Sequence, residues 1–262
     1  MKSTEKRWFS EERKIIADQI RNARNSERKK DKQSYGIDKS GKECLYRLGG
    51  LEHFFDYLRT LPSNRVLDIG VGTGRGSSAI RKMPISNGLE FEVTALRNIP
   101  ELQKNFPKER IHITAVETLR GVTDKSLAGI IAVNSIGYSD HSLLAVRRLN
   151  QVLIPGGVVK ATFYRDEGSE KHNGTSFKDP TSFIEAFSVL GYDVSPIKKF
   201  SATGVGGSGG NAIMVNSIIV AIKPGNPNAP GAKELLEADW DNVKSQAKNI
   251  LAGGHLIFNT EG

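Results

Sequence analysis

Val66-Leu67-Asp68-Ile69-Gly70-Val71-Gly72-Thr73-Gly74-Arg75-Gly76-Ser77 is the stretch whose reading decides the fold. A short apolar run gives way to glycine at every second position, and Ser78-Ala79-Ile80-Arg81-Lys82 follows. That order predicts a buried strand, a tight turn and the start of a helix. Glycine has no Cβ, so such a turn can bend sharply and lie close against a ligand. The first N–H groups of the next helix lack partners inside it and face whatever sits above the strand end. A dinucleotide fingerprint, G-x-G-x-x-G, would put its third glycine at position 75, which is Arg75. The pattern present is D-x-G-x-G-x-G, from Asp68 to Gly74.

Upstream, Leu45, Leu48, Leu51, Phe54, Phe55 and Leu58 recur at helical spacing and predict a helix over 43–61, weakened at Gly49-Gly50. Downstream, strand and helix signals alternate. Strands are expected over 89–96, 111–116 and 127–133, with a helix from Pro100 to Phe106 between the first two. The run 127–133 is apolar throughout, as a central parallel strand covered on both faces requires. A helix over 142–152 carries Leu143, Leu144, Val146, Leu149 and Val152, and runs into Leu153-Ile154-Pro155-Gly156-Gly157 and a fifth strand. A helix over 180–190, a strand over 192–200, a glycine-rich hairpin connection and a strand over 213–222 complete the series. Such alternation demands a doubly wound, mostly parallel sheet whose right-handed crossovers bring the strand ends to one rim.

The glycine turn, and L-x-P-G-G after a helix at this distance from it, resemble two features of the class I S-adenosylmethionine (SAM)-dependent methyltransferases. The resemblance covers about residues 43–223 and implies an α/β, Rossmann-like methyltransferase fold with a seven-stranded sheet ending in an antiparallel hairpin. It implies SAM as cofactor, held by Asp68, Gly70, Val71, Gly72 and Gly74. The ribose would lie at the end of the second strand, where the family places an acid and this chain has Arg97 and Asn98. The adenine side would be formed near Val116 and Glu117, position 115 being alanine rather than an acid. The segment Asn134-Ser135-Ile136-Gly137-Tyr138-Ser139-Asp140-His141 would be where methyl group and acceptor meet. Asn134 there faces the cofactor and Tyr138 the acceptor, while His141 and Asp140 are the candidates for a general base. Tyr164 opens a polar loop on the substrate side. The segment lacks the N-P-P-Y or D-P-P-Y signature of enzymes that methylate planar nitrogens in nucleic acids or glutamine, which counts against those substrates; a small-molecule acceptor is the leading expectation, with RNA and protein left open.

The net charge of +8 is concentrated in residues 1–42, with 13 Lys/Arg against 7 Asp/Glu, while the other 220 residues hold 24 against 22. This basic arm reads as a helix from Ser10 to about Lys32, either a lid or a grip on phosphate, so RNA is a second possible partner. Pro224, Pro227 and Pro230 form a linker to an amphipathic helix through Leu235, Leu236, Trp240 and Val243, docking on the core or on a partner. Three parts are therefore expected: an arm over 1–42, the methyltransferase-like domain over 43–223, and the linker with its helix over 224–262. One cysteine, Cys44, excludes an intramolecular disulfide and a cysteine zinc cage, and suits a cytoplasmic setting. The five histidines show no zinc-like spacing, and no apolar run has the ~20 residues a membrane span needs. The rival to an enzyme is a nucleotide-binding module that kept the fold without the chemistry, favoured by the absent acids at 97 and 115.

Overall fold

The computed structural model describes residues 48–72, 74–96, 100–139, 141–166, 180–205 and 211–250. The basic arm lies outside them. Five strands run parallel: β1 (Arg65–Asp68), β2 (Glu90–Ala95), β3 (Ile111–Ile113), β4 (Leu127–Val133) and β5 (Leu153–Asp166). β8 (Asn211–Ile222) is antiparallel to β5, and both β6 (Asp193–Val194) and β7 (Lys198–Val205) pair with β8. The order is β3-β2-β1-β4-β5-β8-β6, with β7 also on β8. The expected sixth strand thus comes as two pieces along one edge. Pro196 has no N–H to give the ladder, and beside it the Ser195 hydroxyl accepts the Val220 N–H at 2.9 Å.

Helices cover both faces. On one lie α1 (Glu52–Arg59), α2 (Arg75–Arg81), α3 (Pro100–Asn105) and the long α6 (Ala232–Ile250); on the other lie α4 (Ser142–Val152) and α5 (Pro180–Val189). The faces follow from alternation along the strands: Val66, Phe91 and Val93 join the first core, Leu67, Ile130 and Val159 the second. β4 and α4 occupy the residues expected of them. α1 does not. It starts at Glu52, because Gly49 and Gly50 adopt left-handed backbone (φ +65° and +86°) and let the chain turn under the ring of Trp240. β3 also ends early. The Thr114 hydroxyl accepts the Arg120 N–H at 2.8 Å and exchanges a hydrogen bond with the Thr118 hydroxyl, turning the chain where a longer strand was expected.

The helix at the C-terminal side docks on the core. Trp240 is fully buried, with Lys198 Nζ 5.3 Å above its ring. One residue earlier, Asp239 pairs inside the protein with Lys160 of β5. The same carboxylate accepts the His53 N–H at 2.7 Å, satisfying a donor at the first turn of α1, and Lys160 donates to the Gly50 carbonyl at 2.8 Å. β5, α1 and α6 therefore meet at one buried charge pair.

Candidate functional site

The strand order reverses between β1 and β4, and in open α/β sheets ligands bind outside the carboxyl ends at such a switch point. The two loops leaving these strands touch: a Cβ on Gly70 would lie 2.5 Å from the Ser135 Cβ. Thr94 of β2 holds the glycine turn from below. Its carbonyl and hydroxyl both accept the Gly70 N–H, at 3.1 and 3.0 Å, and its carbonyl accepts the Val71 N–H at 3.1 Å.

The glycines divide by what surrounds them. Gly70 permits the loop-to-loop contact with Ser135, and Gly74 lies against Leu102 and Phe106 of the neighbouring segment. Gly72 is different. It is exposed, has φ +56°, and a Cβ there would meet nothing within 4 Å among the described residues. Its backbone is bare toward open space, as a cradle for a ligand requires.

Below the turn, Asp68 at the end of β1 is 4% exposed and accepts the Ser77 hydroxyl at 2.5 Å. Burial pushes its carboxyl up from the ordinary 3.8 to about 7, the Ser77 hydrogen bond working in the opposite direction. A cationic ligand group nearby would favour the ionised form. On the β4 side, Asn134 has left-handed backbone (φ +49°). Its N–H reaches the Thr162 carbonyl and hydroxyl at 3.1 and 3.0 Å, and its side-chain oxygen accepts the Thr162 hydroxyl at 2.9 Å. Among the described residues the buried Ser135 hydroxyl has no hydrogen-bond partner.

Toward β3, the Val116 side chain belongs to the second core, leaving its backbone for any ligand contact. Glu117 is 8% exposed and accepts the Ser139 hydroxyl at 2.6 Å. Tyr138 is 44% exposed on a short 3-10 turn over Ile136–Tyr138. His141 is half-buried at the start of α4, its N–H directed to the Ser139 hydroxyl at 3.2 Å. Asp68 ends β1, and Gly70, Val71, Gly72, Gly74, Val116, Glu117, Asn134, Tyr138 and His141 all fall on the segments that follow β1, β3 and β4 at the carboxyl rim. Arg97, Asn98 and Asp140 lie outside the described residues, and Tyr164 is placed by its backbone in β5, opposite Asn216. A pocket bounded by Gly191, Asp193, Lys223 and Asn226 opens on the opposite rim, away from these segments.

Sequence reading missed the hydroxyl residues that hold the site: Ser77, Thr94, Ser139 and Thr162. Ser77 carried a usable signal, being one turn into a helix that follows an acid-tipped strand. Thr94, Ser139 and Thr162 gain their partners only when separate strands assemble. Among the described residues no group of three His, Cys, Asp or Glu side chains could hold a metal ion.

No family model and no curated protein matches the sequence. Solved structures do. The YcgJ protein of Bacillus subtilis matches over 69% of this chain and 99% of its own, at 16% identity and a TM-score of 0.50. The chain has the Rossmann-like methyltransferase fold. Other structures similar to this methyltransferase fold include the [4+2]-cyclase SpnF (14% identity, 68% of this chain and 82% of that one, TM-score 0.48). Another is the 1,6-didemethyltoxoflavin-N1-methyltransferase of Burkholderia thailandensis, crystallised with 1,6-didemethyltoxoflavin and S-adenosylhomocysteine (16% identity, 72% and 80%, TM-score 0.48). At 16% identity the likeness to YcgJ bears on the fold alone.

Proposed function

We propose that this protein is a SAM-dependent methyltransferase acting on a small-molecule acceptor. The observation that carries the reading is the switch point between β1 and β4, where the exposed, positive-φ Gly72 follows the buried carboxyl of Asp68 in the turn that leaves β1. Those residues fit SAM. Gly72 leaves room for a ligand against the main chain, and Asp68 offers an anion to the cofactor's amino group. Bound there, SAM would supply an electrophilic methyl group.

The chain's own part is binding and orientation. Thr94 fixes the glycine turn, and Thr162 fixes Asn134 at the edge of the acceptor segment. Glu117 and the backbone at Val116 take the adenine side, with Asn98 at the ribose in place of an acid. Tyr138 and Tyr164 are the proposed acceptor-binding residues, and His141 or Asp140 removes the acceptor's proton where it must lose one. The basic arm over 1–42 serves as a lid or as a grip on phosphate, and the domain proper spans 43–223. No helix among the described residues is long and apolar enough to cross a membrane, and the single cysteine suits a reducing, cytoplasmic setting.

Titration calorimetry with SAM and S-adenosylhomocysteine tests the reading, followed by tritiated-methyl transfer from SAM into metabolite extracts. Saturable binding of both and label in a small-molecule fraction are expected. No binding would overturn the proposal; binding with no transfer into any fraction would leave the non-catalytic module. Label in RNA, with binding that weakens steeply in salt and flattens on deletion of residues 1–32, would move the acceptor to RNA.

A further inference from the structure

The segment after β3 and the segment after β4 are joined by a buried bridge that spans the candidate site. Ser139 is 5% exposed and Glu117 is 8% exposed. The Ser139 hydroxyl donates to Glu117 Oε1 at 2.6 Å and accepts the His141 N–H at 3.2 Å. A serine hydroxyl has one proton to give and two lone pairs, so the proton is committed to Glu117 and a lone pair to the chain two residues on.

Each end of the bridge is anchored. Glu117 lies in a turn fixed by the Thr118 and Leu119 N–H groups, which donate to the Ala115 carbonyl at 3.2 and 2.9 Å. Ser139 closes the 3-10 turn, its own N–H donating to the Ile136 carbonyl at 3.0 Å. Beyond it, the His141 carbonyl accepts the Ala145 N–H at 2.9 Å in the first turn of α4. Among the described residues the Ser139 hydroxyl is the hydrogen bond that Glu117 receives. A hydrogen bond to an ionised acceptor is about twice as strong as a neutral one, so this carboxylate holds Ser139, and through it the path from Tyr138 to His141.

We infer that Ser139 is a positioning residue, coupling occupation of the adenine side at Glu117 to the order of the acceptor segment 134–141. The inference rests on the reading of the crevice as a SAM site. A ligand donor reaching Glu117 fixes its carboxylate, and that carboxylate fixes Ser139 and the backbone carrying Tyr138 and His141. The acceptor segment is therefore set before the acceptor arrives. Binding on one side and order on the other are two aspects of one coupling free energy.

Hydrogen exchange with and without saturating SAM tests this on the wild-type protein, with calorimetry confirming saturation. SAM is expected to slow exchange of amides 136–141 about fivefold or more. In Ser139→Ala, SAM still binds, about fivefold more weakly, and the slowing at 136–141 disappears while that around Gly72 persists. In Glu117→Ala the affinity falls further, and adding Ser139→Ala to it costs nothing more, since coupled residues are non-additive. Wild-type protein that binds SAM without slowing at 136–141 would overturn the inference alone, as would Ser139→Ala retaining the full slowing. Wild-type protein that binds no SAM would overturn the proposed function and this coupling with it.

Discussion

Asp239 and Asp68 are both buried carboxylates, 0% and 4% exposed, yet their partners differ in kind. Asp239 meets a full positive charge, Lys160, and a helix N–H, His53. Burial pushes the Lys160 ammonium below its ordinary range, and the Asp239 carboxylate opposes that push. Asp68 meets one hydroxyl and keeps its proton up to about pH 7. The first carboxylate is satisfied within the chain and fastens α6 to β5 and α1. Among the described residues the second has no cation beside it, and the glycine turn follows it directly in the chain. Burial alone does not separate a structural charge from a binding one; the completeness of its partners does.

The sharpest way to break this comparison is to unpair the first carboxylate. Asp239→Ala leaves the Lys160 charge buried without its counter-charge and should cost about 3–5 kcal/mol of folding stability. Urea denaturation measures this, and the double variant Lys160→Met, Asp239→Leu should recover most of the loss. A cost below about 1 kcal/mol would show that the pair contributes little to docking α6.

On the binding side, Gly72→Val should weaken SAM about a hundredfold or more in a protein that still folds. Its Cβ meets no atom of the described residues but fills the space over the backbone, and a β-branched residue resists φ +56°. Calorimetry beside a thermal melt separates the two effects. Unchanged affinity would remove the cofactor from this crevice.

Asp68→Asn addresses the second carboxylate directly. In the wild type, the unfolded chain ionises near 3.8 and the folded one near 7, so the stability Asp68 contributes is full below 3.8 and is lost as pH rises to about 7. The asparagine variant should lack that decline. SAM affinity should run the other way, rising with pH toward 7 in the wild type as the carboxylate forms. In the variant it should be flat and about tenfold weaker. Denaturation and calorimetry between pH 5 and 8.5 read both slopes, and identical profiles would mean Asp68 carries neither.

The smallest expected effect is at the ribose. Asn98→Ala should cost about 0.5–1.5 kcal/mol of SAM binding, the scale of a neutral hydrogen bond. With Arg97→Ala beside it to remove a competing guanidinium, Asn98→Asp should tighten SAM, because the acceptor becomes charged. Titrations in which neither moves would place the ribose elsewhere.

The sequence by itself determined the order of elements and the rim on which the site lies. β4 and α4 were legible because each has a single uninterrupted pattern, apolar throughout in 127–133 and amphipathic in 142–152. The glycine turn was legible because few other segments need glycine at alternate positions. Local patterns did not decide where α1 begins, since its break depends on Trp240 packing against Gly49 from nearly two hundred residues away. They did not decide that β6 and β7 are separate pieces, or that α6 docks on this core rather than on another chain. Nor did they join Ser77 to Asp68, Thr162 to Asn134, or Ser139 to Glu117. Hydroxyls and buried charges take their meaning from partners distant in the chain, and only the assembled sheet brings those partners within hydrogen-bonding distance.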